Sequence, residues 1–339
     1  MSPRARSRYD EHDPESYERP RRHTRPRTKE RPSFEDAVPA RVVTVDRGRL
    51  TCLLDDGTVV TAMKARPLGR KAVVVGDRVR LVGDTSGIEG SLARIVVVDE
   101  RVTVLRRTAD DTDPVERVIV ANADQLVIVT ALADPEPRLG LIDRALVAAY
   151  DAGMDPLLCL TKADLADPAS LVDVYRPLGV EYVVTRRGGD LSEVRARLAG
   201  RTSVLVGHSG VGKSTLVNAL VPDAGRSTGV VNAVTGRGRH TSTNALMLPL
   251  PASGDSSDGR HGGWIVDTPG IRSFGLAHVD PDHLIEAFPD LHDLTADCPR
   301  GCSHAEGEPE CGLDEAVGDQ RDRVASFRRL LASREAPAY

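Results

Sequence analysis

The segment at residues 203–220, SVLVGHSGVGKSTLVNAL, constrains this chain more than any other stretch. Its centre, GHSGVGKS, puts Gly207, Gly212, Lys213 and Ser214 at the fixed places of G-x-x-x-x-G-K-[ST]. An apolar β-branched run precedes the loop and a helical apolar period follows it. Such a loop needs backbone N–H groups and a helix N-terminus converging on one anion, at the end of a strand. The glycines let the backbone of His208, Ser209, Gly210 and Val211 curl around a β-phosphate. Lys213 reaches the β- and γ-phosphates, Ser214 ligates Mg²⁺, and Thr215 borders the same phosphates.

The surrounding text agrees with that demand. Beyond residue 115, QLVIVTAL, DPLLCLT, VEYVVT, TSVLVG and GGWIVDT read as strands. Between them RLGLIDRALVAAYDAG, DLADPASLVDVYRPLG, DLSEVRARLAG and GKSTLVNALV read as helices. The alternation predicts a mostly parallel sheet covered on both faces, a three-layer α/β domain. Residues 38 to about 100 differ: five short β-type runs, ARVVTVD, RLTCLL, TVVTAM, AVVVGDRVRLV and ARIVVV, are parted by Gly and Asp turns. They predict a small closed barrel of the OB or SH3 kind. Arg41, Lys64, Arg66, Arg70, Lys71, Arg78 and Arg80 suit contact with a polyanion backbone, while base-stacking aromatics are missing.

Charge and composition set the remaining bounds. The first 32 residues hold ten Arg or Lys against six Asp or Glu and almost nothing apolar. This tail is expected to be disordered, either a solvated leader or an arm drawn to polyanions, RNA first. No apolar run approaches the roughly 18 residues that span a bilayer, and the N-terminus is charged rather than signal-like, so the expectation is a cytoplasmic protein without a membrane partner.

Two further segments complete a nucleotide site. WIVDTPGI ends an apolar strand in Asp267, placed to reach Mg²⁺, and Gly270 offers a backbone N–H to a γ-phosphate. TKAD supplies Asp164, which accepts from guanine N1 and N2, and Lys162, whose stem lies along the base; adenine would leave the carboxylate unpaired. Thr161 stands where Asn is usual in GTPases, which predicts one weaker loop-fixing contact. The base-reading segment precedes the phosphate loop in the chain. A sheet does not record the order in which its strands are made, so the order predicts circular permutation.

Near the C-terminus CPRGCSHAEGEPEC gathers Cys298, Cys302, His304 and Cys311. Three thiolates and one imidazole are a closed tetrahedral set for a structural Zn²⁺, with no open position for catalysis. Cys52 and Cys159 sit alone in apolar segments, a distribution that suits a reducing compartment with one metal site. The end of the chain, SFRRLLASRE, predicts a short basic helix.

From about residue 38 to 333 the chain resembles the circularly permuted, small-ribosomal-subunit-dependent GTPases of bacteria known as RsgA or YjeQ. The resemblance rests on the barrel, TKADL, GHSGVGKSTL, GRGRHTST, DTPGIRSFGL and the cysteine segment, in that order. The cysteine spacing differs from the family's by one residue in the first gap and one in the last. Composition predicts a disordered basic tail at 1–37, and the resemblance implies an OB barrel at 38–105, a permuted GTPase domain at 106–276 and a zinc-binding helical domain at 277–339. It also implies binding of GTP and GDP with Mg²⁺ and one structural Zn²⁺, action as a monomer, and partnership with the 30S subunit and its 16S rRNA late in maturation, with stimulated GTP hydrolysis. By the family pattern Thr243, with Thr241 as near alternative, contacts Mg²⁺ and γ-phosphate. Ile271 stands where many GTPases carry a water-positioning Gln; the family pattern implies His240 in that place, to position water or assist as base, with a solvent-exposed or RNA-contacting histidine as the alternative. Arg237 and Arg239 beside it suit rRNA phosphates, and the 251–263 insertion reads as a surface loop. A zinc-containing RNA-binding switch with incidental hydrolysis is the alternative; an ATPase conflicts with Asp164.

Overall fold

The five β-type runs near the N-terminus close on themselves because each offers one apolar face to the same small core. In the computed structural model, which describes residues 34–46, 48–69, 73–108, 116–221, 245–251, 262–268, 276 and 279–335, these are β1 (Val38–Asp46), β2 (Arg49–Leu54), β3 (Val59–Lys64), β4 (Arg78–Gly83) and β5 (Ala93–Val98). They follow the order β1-β2-β3-β5-β4, and β4 pairs back to β1. All pairings are antiparallel except β3 with β5. Val42, Cys52, Val60, Ala62, Leu81 and Ile95 fill the barrel. The pairing of β1 with β2 shifts register between Val42 and Thr44, and Val43 turns into the neighbouring core. AVVVGDRVRLV is not one strand: Gly76 has φ 90° and the carboxylate of Asp77, fully buried, accepts from Val74 N at 2.8 Å and from the Arg101 guanidinium at 2.7 and 2.9 Å.

A hairpin that the sequence reading did not foresee, β6 (Val104–Thr108) and β7 (Glu116–Ala121), leads from the barrel into the α/β part. There follow β8 (Gln125–Ala131), α1 (Leu139–Asp151), β9 (Asp155–Thr161), α2 (Ala169–Tyr175), β10 (Glu181–Val184), α3 (Ser192–Leu198), β11 (Thr202–Val206), α4 (Lys213–Leu220), β12 (Leu246–Pro249) and β13 (Trp264–Asp267). Strands β10, β9, β8, β11 and β13 are parallel neighbours in that order, with β12 antiparallel beyond β13. Along β8 the side chains alternate between two cores. Leu126 and Ile128 pack with α1, whereas Val127, Val129 and Ala131 pack with α3 and α4. Helix α2 starts later than its apolar pattern: Pro168 stands at its N-cap, and Asp167 just before it accepts from Ala169 N at 2.8 Å.

Backbone pairing and a side-chain contact join the barrel to this sheet. Thr44 of β1 pairs with Leu246 of β12, so the strands of both parts form one eleven-stranded sheet. Arg41 Nη1 lies 3.5 Å from Thr202 Oγ1, so this partly buried guanidinium belongs to the seam rather than to an exposed basic face.

The C-terminal part carries α5 (Pro281–Glu286), α6 (Pro289–His292) and α7 (Asp319–Glu335). Helix α7 runs for 17 residues, longer than the short helix expected, because Val324, Phe327, Leu330 and Leu331 recur at helical spacing and are buried. Phe288 lies between Tyr150 of α1 and Phe327 of α7, with ring centroids 4.9 and 5.5 Å away. No helix among the described residues is long and apolar enough to cross a membrane. The tail at residues 1–33 lies outside the described residues.

Candidate nucleotide site and metal centre

The phosphate loop leaves β11, the strand between β8 and β13, and enters α4. Its glycines have separate reasons. A Cβ on Gly207 would stand 2.4 Å from the Val129 carbonyl oxygen, so this position passes too close to β8 for any side chain. Gly210 and Gly212 have φ of 86° and 92°, the left-handed region that glycine occupies without strain. Lys213, Ser214 and Thr215 open α4, the last two exposed at the helix N-terminus. His208 is half-buried and its Nδ1 lies 2.8 Å from the Ser209 carbonyl.

Asp267 ends β13, in register with Leu205 of β11. Its carboxylate pairs with the Lys213 ammonium, so sheet register, which places Asp267, and the loop, which places Lys213 at the start of α4, together bring the two groups into contact. Thr268, just beyond, is buried and donates to the Leu205 carbonyl at 2.9 Å. That hydroxyl fixes the strand end; it stood within DTPG in the sequence without being singled out.

The base-reading segment leaves β9, two strands away from β11. Thr161 is buried, and its Oγ1 lies 2.6 Å from the Val211 carbonyl and 3.2 Å from that of Thr130. The contact expected to be weak is therefore made, from β9 directly to the phosphate loop. Lys162 has φ 58° and its ammonium donates to the Asp134 carbonyl; Asp164 is exposed beyond it. Asp134 carried no signal in the sequence because its part is played by a backbone oxygen. Gly270, Ile271, Arg237, Arg239, His240, Thr241, Ser242 and Thr243 lie outside the described residues.

Cys298, Cys302, His304 and Cys311 present ligand atoms all within 4.8 Å of one another. The His304 Nδ1 faces the thiols, at 3.8 Å from the Sγ of both Cys298 and Cys311, while its Nε2 is 3.8 Å from Asp282. Gly312 N donates to Cys298 Sγ at 3.2 Å, and a side chain at Gly312 would strike the Leu294 carbonyl at 2.0 Å. Soft donors gathered with an N–H aimed at one sulfur fit a zinc ion. Cys52 and Cys159 are buried elsewhere, and burial pushes both thiols up to about 12.

A phosphate loop on an inner strand, a carboxylate at the end of its neighbour, and a base-reading segment made earlier in the chain define a circularly permuted P-loop GTPase. The family described as RsgA GTPase matches residues 98–277. The small ribosomal subunit biogenesis GTPase RsgA of Ectopseudomonas mendocina is 44% identical over 227 residues, and the match spans 63% of the chain and 63% of that relative. Its namesake in Pseudomonas aeruginosa is 40% identical over 274 residues, spanning 77% of the chain and 76% of that relative. This chain belongs to the RsgA GTPase family. Among solved structures, YjeQ from Thermotoga maritima superposes with a TM-score of 0.61 at 28% identity, covering 87% of this chain and 98% of that one. YloQ, a circularly permuted GTPase, gives a TM-score of 0.61 at 22% identity over 91% and 100% of the two chains and speaks for the fold alone.

Proposed function

We propose that the chain hydrolyses GTP to GDP and phosphate in the late maturation of the small ribosomal subunit, and that the subunit stimulates the reaction. The observation that carries this reading is the meeting of Lys213 with Asp267 at the mouth of the loop Gly207–Ser214, in a chain whose relatives are named for biogenesis of that subunit. The loop N–H groups receive the phosphates, and Lys213 exchanges its carboxylate partner for phosphate oxygens. Ser214, Asp267 and Thr243 would hold magnesium, which neutralises charge developing on the β- and γ-oxygens. Asp164 accepts the guanine N–H donors, with Lys162 along the base and Thr161 holding the loop in place. Gly270 offers its N–H to the γ-phosphate, and His240 orients the attacking water once the subunit fixes the segment around it. Cys298, Cys302, His304 and Cys311 would hold one zinc that shapes the C-terminal part. The working units are 38–105, 106–276 and 277–339, acting as a monomer in the cytoplasm, with the basic residues 1–37 drawn to 16S rRNA.

The test is GTP turnover by the full chain alone, with 30S subunits and with 50S subunits, ATP serving as the competing substrate. Stimulation by 30S alone is expected, and His240→Ala should lower the stimulated rate about a hundredfold with GDP affinity kept. GTP binding without any stimulation by 30S would instead make the chain a nucleotide-set RNA-binding switch.

A further inference from the structure

The metal-ligand loop and the phosphate-loop strand share one apolar core. Cys302, Cys311, Leu313 and Ala316 are buried in the same cluster as Val204 and Val206 of β11. Helix α7 belongs to that cluster too, and two adjacent residues of it address different partners. Arg328 reaches the ligand loop, its Nε donating to the His304 carbonyl at 3.2 Å and its Nη2 to Asp314 at 2.7 Å. Arg329 reaches α1, its Nε donating to Asp143 at 3.1 Å while its guanidinium lies 5.2 Å from the centre of the Tyr175 ring. Neighbouring positions on a helix point about 100° apart, so one turn serves both sides. Further contacts grip the same surface: Arg144 Nη1 donates to the Ser333 carbonyl at 2.9 Å, and Arg323 Nη1 to that of Pro177 at 2.6 Å.

Helix α1 leads back to the nucleotide site. The segment before it supplies Asp134, whose carbonyl accepts from Lys162. It also supplies Pro135, whose Cδ lies 3.6 Å from where a Cβ on Gly210 would stand. A shift of α1 therefore reaches both the base-reading segment and the phosphate loop.

We infer that α7 is a coupling brace through which the integrity of the metal-ligand loop sets the affinity for guanine nucleotide. The inference rests on the nucleotide and metal readings above. With the ligand loop closed, the partners of Arg328 are fixed and the helix holds Arg329 over Asp143. An open ligand loop withdraws His304 and Asp314 from Arg328 and takes Cys311 and Leu313 out of the shared core. The helix then lacks one wall, Asp143 is left buried with its cation adrift, and α1 loses the surface that holds it. Coupling between two binding sites is reciprocal, so bound nucleotide retains the metal as strongly as the metal retains nucleotide.

The experiment titrates a fluorescent GDP analogue into the full chain with zinc bound, after chelation, and after zinc is restored, and repeats the titration on zinc-loaded Arg328→Ala. Chelation is expected to weaken GDP binding about fivefold or more, reversibly, and bound GDP to raise the equilibrium affinity for zinc, read by competition with a chelator, by the same factor. Arg328→Ala, which keeps all four metal-ligand side chains though the guanidinium itself neighbours Cys311, is expected to weaken binding about two- to fivefold in zinc-loaded protein with circular dichroism unchanged. Where chelation unfolds the chain, the variant decides: zinc-loaded Arg328→Ala binding GDP as tightly as the parent overturns the brace. A zinc-loaded parent that binds GDP with an affinity indifferent to both changes also overturns it and leaves the nucleotide reading standing. No GDP binding by the zinc-loaded parent overturns both.

Discussion

Gly207 is the residue where sequence and space agree most closely. The motif demands a glycine for phosphate approach, and the sheet demands it again, because a Cβ would stand 2.4 Å from the Val129 carbonyl. Gly207→Ala is expected to push β11 from β8, destabilise the fold by about 1–3 kcal/mol and abolish GDP binding. Urea denaturation and a GDP titration check this; a variant that binds normally would refute the packing argument. The loop, Asp267 and Thr161 to Asp164 were legible because phosphate and guanine chemistry fix residue types at fixed spacing. The bond from Thr161 to the Val211 carbonyl was not, since it depends on two distant segments meeting across the sheet. Asp134 acts through a backbone oxygen, which no side chain announces.

At the scale of elements α7 departs furthest from expectation. SFRRLLASRE suggested a short basic helix, yet Arg323, Arg328 and Arg329 of the observed helix are used inward. Asp143 is buried, and burial holds its carboxyl above the usual carboxylate range while Arg329 opposes the shift. Arg329→Ala removes the opposing cation, so the folded pKa of Asp143 should rise further from its unfolded value. A raised folded pKa gives stability that is present at low pH and lost as pH rises through it. The deficit of Arg329→Ala against the parent is therefore expected to grow from pH 5 to pH 8. Arg329 is itself 34% exposed, so the loss at pH 8 should be about 2 kcal/mol, below the cost of breaking a fully buried pair. Urea melts at the two pH values measure it, and an equal or larger deficit at pH 5 would contradict the assignment. The hairpin of β6 and β7 was missed for a related reason. It is short and lies where the strand signal of the barrel gives way to the helical periods beyond residue 115.

Across the whole molecule the barrel and the nucleotide sheet are one hydrogen-bonded surface. Leu246 of β12 is the Cα partner both of Thr44 in the barrel and of Asp267 at the nucleotide site. Strand periodicity told of each half; the seam joins segments too remote in sequence for any local pattern to reveal. The two halves are expected to unfold together. Fluorescence of the sole tryptophan, Trp264 in β13, should lose its native signal at the same urea concentration as the far-ultraviolet signal of the whole chain. Two separated transitions would count against the seam. Rolling one end of the eleven-stranded sheet into a barrel has another effect, because β4 finds its partner in β1 and, among the described residues of that sheet, β10 alone is left at a free margin. That margin is four residues long and carries Glu181, ion-paired with Arg197. In a crowded cell a foreign strand seeking to extend this sheet meets a short, charged border, so the closed barrel also guards its carrier against aggregation.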